Sequence, residues 1–429
     1  TTYVMVTQAQ NAKLVRTGPG MPMGNLFRRY WIPAFLSEEV PTPDCPPVRV
    51  KLLSEDLLAF RDSEGRVGLV DEFCPHRRVS LWFGRNEMGG IRCAYHGWKF
   101  SASGECLEVP SEEASGTFKK SVRLLSYPCI EQGGVVWTYM GPPELKPPFP
   151  EFEWMQVPAS HRYVCKRIQE SNYLQAMEGG IDSSHVSFLH SGELHTDPLH
   201  KGTQGAQYQR DATPQFEVME SAGGLLIGAR RRADGGKSYW RITQWIMPWY
   251  TMIPPYGDHA LHGHAWVPMD DENCYVWSMT HHPSRPLSTD ERAAMESGQG
   301  IYAELIPGTY RTVANKRNDY LIDREAQKKG IYYIGVKGIA MQDASLQESM
   351  GPIVDLSLER LASTDIAIVK ARRRLLAAAD AVADGTQPPG LDPATHRVRS
   401  ASFVLPPEVP LADVVEEVTA VVEGAHTSI

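Results

Sequence analysis

Two short pairs in this 429-residue chain carry residues that bind metals: Cys74-Pro-His76 and Cys93-Ala-Tyr-His96, with sixteen residues between them. Each pair offers one thiolate and one imidazole. A [2Fe-2S] cluster with one iron on two Cys and the other on two His needs that inventory. Tetrahedral zinc also takes two Cys and two His, but zinc ribbons and fingers draw both Cys from one hairpin turn and both His from another element. Here each loop supplies one of each, so two loops can clamp a two-iron cluster, Cys to the inner iron and His to the outer. Imidazole ligation raises the potential above that of an all-Cys ferredoxin. The outer nitrogens of His76 and His96 can carry protons, so the potential also depends on pH.

A second group lies in the segment IDSSHVSFLH: Asp182, His185 and His190. The two His are five apart, about 140° around an ideal helix. They can share a metal only if the helix bends, widens or ends between them. Gly179-Gly180 and Ser183-Ser184 give the segment modest helix propensity, which allows this. Two His plus one carboxylate, with open positions, is the arrangement of non-haem Fe(II) oxygenases. Spacing leaves the third ligand open among Asp343, Glu348, Asp355, Glu359 and Asp365.

These residues need elements to hold them. Residues 1–40 read as a lead-in broken by Gly18-Pro19-Gly20 and Pro22. Residues 41–150 read as an N-terminal antiparallel β domain, with short Val-, Leu- and aromatic-rich runs and turns at Asp62–Gly65 and Ser101–Gly104. The ligand loops fall at hairpin tips. The Pro-rich stretch 141–158 reads as a linker. Residues 151–429 read as α+β: an antiparallel sheet flanked by helices, among them a long amphipathic helix stopped by Gly385. Composition is that of an ordinary globular chain, 42% hydrophobic and 22% charged. The net charge of −8 gives nucleic-acid binding no support. No apolar run is long enough for a bilayer. No charged-then-apolar leader stands in the first fifteen residues, and the seven sparse Cys give no disulfide framework; both point to the cytoplasm.

With both groups in view, the chain resembles the catalytic (alpha) subunit of Rieske non-haem iron ring-hydroxylating oxygenases. The signature Cys-x-His, Cys-x-x-His and the pattern Asp-x-x-His-x-x-x-x-His carry the resemblance. It implies His185 and His190 as Fe(II) ligands, and it selects Asp343, in GIAMQDASLQESMGPIVD, as the third. It implies Asp182 as the catalytic carboxylate linking His185 to a Rieske His of the adjacent subunit, His96 foremost. A head-to-tail trimer, alone or stacked into a hexamer, would follow. Glu178, one turn before Asp182, stands where some relatives carry Asn. Nothing in the chain looks like a flavin or nicotinamide site, so a separate flavin/iron–sulfur reductase must supply electrons.

The segments RTGPGMPMGNLFRRYWIPA, DEFCPHRRVSLWFGRNE, EGGIDSSHVSFLH and QDASLQESMGPI resemble the phthalate-dioxygenase branch. That branch implies O2-dependent cis-dihydroxylation of an aromatic carboxylate, phthalate at its 4,5 positions first. Chlorobenzoate or phenoxybenzoate dioxygenation and aryl O-demethylation are the alternatives. A Rieske electron carrier is the non-enzyme reading, though a carrier needs only the first domain. A ring carboxylate calls for an Arg fork. Arg210 and Arg241 are the candidates, with Ser183 as a further hydrogen-bonding group. Arg230–Arg232 read as a solvated strand end. Trp245, Met247, Trp249 and Tyr250 could wall the ring, and His195 and His200 could line a mouth.

Overall fold

The computed structural model describes residues 6–194, 196–197, 203–256 and 259–422; His195 and His200 lie outside them. The chain divides into two compact units, one of Thr17–Gly20 and Gly24–Pro147, the other of Thr1–Arg16, Met21–Met23 and Pro148–Ile429. The lead-in is therefore not a segment of its own. Gln8–Val15 is a helix started by a Thr7/Gln10 capping box, and it falls in the second unit. Trp31–Leu36 is a strand of the first unit, buried along its whole length and paired with Val135–Tyr139. A continuous apolar run of six suits a strand covered on both sides.

The first unit holds three antiparallel sheets. Val48–Leu52, Glu55–Arg61, Val67–Asp71 and Ser126–Tyr127 form one; Arg85–Glu87, Gly90–Arg92, Lys99–Phe100 and Cys106–Glu108 form another. The third joins Trp31–Leu36, Val135–Tyr139 and Cys129–Gln132. The Asp62–Gly65 turn closes as its residues suggest: Asp62 Oδ1 accepts the amides of Glu64 and Arg66, both at 2.9 Å. Cys74 and Cys93 sit in one buried core with Phe60, Val70, Ile91 and Phe100. Cys106 belongs to the same core as a free, buried thiol.

The second unit is built on an eight-stranded antiparallel sheet. Its path runs Arg162–Gln169, Cys274–His281, Leu261–Pro268, Tyr250–Ile253, Ser238–Ile246, Gly224–Arg232, Gln215–Glu220, with Ala401–Leu405 also pairing Ser238–Ile246. The apolar run 239–253 makes two of these strands, turned at Met247-Pro248. Proline has no amide to continue a ladder.

The helix Tyr173–Ile181 packs on the strands Leu261–Pro268 and Tyr250–Ile253, with the helix Ile339–Ser349 beside it. Gly179 and Gly180 explain how. A Cβ on Gly180 would collide with the Trp266 ring, and one on Gly179 would strike the Gln347 amide. The glycines cost helix propensity and permit close approach on two sides. The long helix spans Ile366–Ala383 and stops at Gly385, whose φ is +79°. It starts later than its apolar pattern, because Asp355 accepts the amide of Ser357 ahead of it and Asp365 that of Ala362 behind it instead.

Candidate active site

In the first unit the two ligand loops share one turn geometry. Cys74 N–H donates to Val79 O at 2.9 Å and Cys74 O accepts from Arg78 N–H at 2.8 Å. Cys93 repeats this with Trp98 O at 2.8 Å and Gly97 N–H at 3.1 Å. The fourth residue after each Cys is left-handed: φ is +64° at Arg78 and +75° at Gly97. Glycine takes that conformation freely. Arg78 is held in it by its guanidinium, which donates to Asp71 Oδ2 at 2.9 Å and Phe73 O at 3.2 Å. Both Cys are buried, while His76 and His96 are exposed with ring centroids 4.6 Å apart. Trp98 stacks on His76 at 4.5 Å. Burial pushes the Cys74 thiol up to about 11, with Cys93 beside it adding to the rise. Two thiols crowded in an apolar core need a cation to hold them as thiolates. Among the described residues these four do not converge on a single-ion point as the second group does. Thiols inward, imidazoles outward and no common centre fit a two-iron cluster better than zinc.

In the second unit the helix Tyr173–Ile181 ends, and that break brings the two His together. Asn172 starts the helix, its Oδ1 accepting Leu174 N–H at 3.0 Å. Asp182 closes it, and a short helix Val186–Leu189 follows. His185 and His190 then flank the short helix rather than lying on one long one. Both Nε2 atoms lie 3.3 Å from Asp343 Oδ1, on the helix Ile339–Ser349. Donor atoms of the three residues all lie within 4.8 Å of one another. The opposite nitrogens face acceptors: His190 Nδ1 lies 2.7 Å from Gln342 Oε1, and His185 Nδ1 lies 3.3 Å from Asp182 Oδ2. An acceptor at Nδ1 keeps the proton there and leaves the Nε2 lone pair toward Asp343. Burial works against ionisation of Asp343, yet the two imidazoles hold its carboxyl well below the usual range. Burial likewise opposes charge on His185, yet Asp182 and Asp343 hold it up at about 10. The field at the shared point calls for a positive charge, and two imidazoles plus one carboxylate suit Fe(II).

The other acidic candidates are engaged elsewhere. Glu348 accepts from Tyr320, Asp355 and Asp365 cap turns, and Glu359 pairs with Arg372. Arg372 also grips buried Glu178 through two bonds of 2.6 and 2.7 Å, so Glu178 ties the long helix to the one ending at Asp182. Burial alone would lower Arg372, but these two carboxylates keep it protonated.

His185, His190 and Asp343 face a cavity that Asp182, Ser183 and Arg241 also line. Arg241 is buried; its Nη1 donates to Tyr239 Oη at 3.1 Å, its Nη2 to Pro254 O at 2.9 Å, and its guanidinium lies over the Tyr256 ring. Arg210 is exposed and is not among the lining residues, contrary to expectation. It follows a one-turn helix, Gln204–Tyr208, whose end carries its side chain outward. Arg231 is not solvated either: it is buried and donates to Ser183 O at 2.7 Å, Ser183 Oγ at 3.3 Å and Asp211 O at 3.1 Å. Ser183 Oγ thus accepts from Arg231 and keeps its own O–H to donate. Trp245, Met247, Trp249 and Tyr250 are core, and Trp266, Tyr256, Ile253 and Ile301 wall the cavity instead. Arg167, Thr243, His264 and Gln347 also line it, and the sequence reading assigned none of them a role. Burial and the nearby Arg167 hold His264 down at about 4, so it is neutral.

Two family models match the chain: a Rieske [2Fe-2S] domain over residues 30–128 and a LigXa C-terminal domain like model over residues 138–407. The 3-chlorobenzoate-3,4-dioxygenase oxygenase subunit of Comamonas testosteroni is 41% identical, over 94% of this chain and 96% of that one. The phthalate 4,5-dioxygenase oxygenase subunit of Pseudomonas putida is 37% identical, over 93% of this chain and 92% of that one. The fold matches a crystal structure of dicamba monooxygenase bound to dicamba with a TM-score of 0.59 at 19% identity, over 83% of this chain and 98% of that one. The chain belongs to the Rieske non-haem iron aromatic-ring oxygenases, as an oxygenase subunit that uses a [2Fe-2S] cluster and a mononuclear iron and depends on a separate reductase.

Proposed function

We propose that the chain cis-dihydroxylates an aromatic carboxylate, with His185, His190 and Asp343 holding the iron and Arg241 anchoring the carboxylate. One observation carries this reading: a buried guanidinium lines the same cavity as the three ligands, and among the described residues it bonds no carboxylate. A buried cation without a counter-ion is costly. An acidic ring supplies the missing charge. Phthalate and 3-chlorobenzoate, for which the two relatives are named, both carry such a group.

When bound, the mononuclear iron activates O2 with electrons that the cluster passes on. The residues do the rest. Arg241 grips the carboxylate and sets the ring's orientation. Ser183, its oxygen already bonded by Arg231, donates its O–H to the same carboxylate. Trp266, Ile253 and Ile301 pack the ring and exclude water. Asp182 holds the Nδ1 proton of His185. Its side chain is 24% exposed, and this supports a second role as the link to His96 of a neighbouring copy in a trimer or stacked hexamer.

The test is incubation with reductase, NADH, O2 and a panel of benzoates and phthalates, followed by product mass. A dihydrodiol keeps every carbon and gains both oxygen atoms; release of formaldehyde from a methoxylated acid would favour demethylation. If no aromatic acid is oxidised, the substrate class is wrong. Asp182→Ala should keep both metal centres loaded and stop turnover. Undiminished turnover in that variant rules out the bridging role.

A further inference from the structure

The cavity holds a second cation that the reading above does not use. Arg167 is 6% exposed and lines the cavity from the strand Arg162–Gln169. Its Nη1 donates to Ile301 O at 3.4 Å, a long contact, and its Nε is buried without a hydrogen-bond partner. Asp343 and Glu348 lie close enough to influence its charge. Yet among the described residues no carboxylate bonds it: Asp343 Oδ1 is turned to the two imidazoles, and Glu348 accepts from Tyr320 and the Glu170 amide. A guanidinium has five donors, and burying them unpaired costs free energy. Such a group in a ligand cavity calls for an acceptor from the ligand.

Its place relative to Arg241 says where on the ligand that acceptor lies. Arg241 is on Ser238–Ile246, and four strand steps separate it from Arg167: through Tyr250–Ile253, Leu261–Pro268 and Cys274–His281 to Arg162–Gln169. In a flat sheet that is about 19 Å between strand axes, and the register sets Arg167 level with Trp266, about six residues further along the strand direction than Arg241. The two side chains therefore reach into the cavity from separate parts of the sheet. Groups on separate sides of one ring come nearer to spanning such a gap than groups side by side. Neighbouring carboxylates on one edge of a ring cannot meet both.

Resting on the reading of this cavity as an aromatic-acid site, we propose that Arg167 binds a second acidic group. The preferred substrates are then benzene dicarboxylates with the groups meta or para, rather than ortho. His264, neutral and beside Arg167, leaves the guanidinium as the positive charge at that end.

Binding to the oxidised holoenzyme, without reductant, tests this by calorimetry. The panel is benzoate with the 1,2-, 1,3- and 1,4-dicarboxylates. The wild type should bind the 1,3- or the 1,4-diacid at least about tenfold more tightly than benzoate, as one charged hydrogen-bonding contact warrants. Arg167→Met should erase that preference and leave benzoate affinity within about threefold, since benzoate lacks the second group. Arg167→Lys should keep part of it. Arg241→Met should weaken every ligand. A wild type that binds benzoate or the 1,2-diacid as tightly as the others overturns the proposal without needing any variant. Equal loss of all ligands in Arg167→Met, or iron loss with the preference intact, overturns it as well. Failure of all four acids to bind the wild type instead removes the aromatic-acid reading beneath it.

Discussion

The imidazoles of His185 and His190 are each held by the nitrogen that faces away from Asp343. Gln342 does this for His190 and is itself fixed by donating to Val336 O at 2.9 Å and Glu193 Oε1 at 3.4 Å. Such outer partners typically change metal affinity by about 10- to 100-fold. Gln342→Leu should therefore lose iron to a chelator about tenfold faster or more, with the cluster's absorbance unchanged; equal iron retention would show that Gln342 does not orient the ring. At this scale the sequence was readable where ligands are neighbours in the chain. Cys74, His76, Cys93 and His96 stand out by spacing, whereas His185 and His190 drew their meaning from the presence of that first group, and Asp182 from the resemblance. Asp343, some 150 residues on, needed a family resemblance. Gln342, Arg231 and Arg167 gave no signal, because what marks each one is a tertiary contact or its absence. Arg210, just after the ligand helix, and Arg241, in an apolar strand, were both candidate cations, and burial separates them.

Among the elements, the helix Tyr173–Ile181 depends on having no side chain at its last full turn. Gly180→Val should force the helix off Trp266 and shift the residues that follow, Asp182 and His185 among them. Overpacking of this kind costs about 1–3 kcal/mol, so a lower melting temperature and weaker iron retention should appear together. Gly179→Ala meets only the movable amide of Gln347 and should be milder. A second tie responds to pH. Glu153, in the helix Glu153–Gln156, accepts from Arg399 at 2.7 Å and lies 3.3 Å from His281. Burial opposes its ionisation, yet these partners hold its carboxyl down at about 2. A depressed carboxylate stabilises the fold above its unfolded value, about 4.3, and that contribution fades as pH falls toward 2, roughly 3 kcal/mol in all. Acid titration of stability should show a loss across this window that Glu153→Gln lacks.

At the scale of the whole chain, metal content separates an oxygenase from a carrier. On the proposed ligand sets, two irons in the cluster and one at His185, His190 and Asp343 make three per chain, and two would leave the second group unused. Mild chelation should abolish oxygenation while sparing the cluster spectrum, and added Fe(II) should restore it. The division into units was harder to read than the sites. The strand Trp31–Leu36 pairs with residues about a hundred positions later, so nothing local marked it as part of the β unit. The expected boundaries at 40 and 150 meet a first unit that begins at Thr17 and ends at Pro147.

The break after Ile181 has a mechanical meaning. Asp343 rides on an eleven-residue helix, whereas His185 is joined to Asp182 by two residues of turn. The metal grip is thus a vice with one fixed jaw and one moving jaw, and Asp182 is the handle of the moving one. A pull on that carboxylate from outside the unit reaches His185 within three residues and leaves Asp343 where it was. The short span proposed as the electron's path can also carry a displacement, so a hold taken on Asp182 reaches the imidazole of His185.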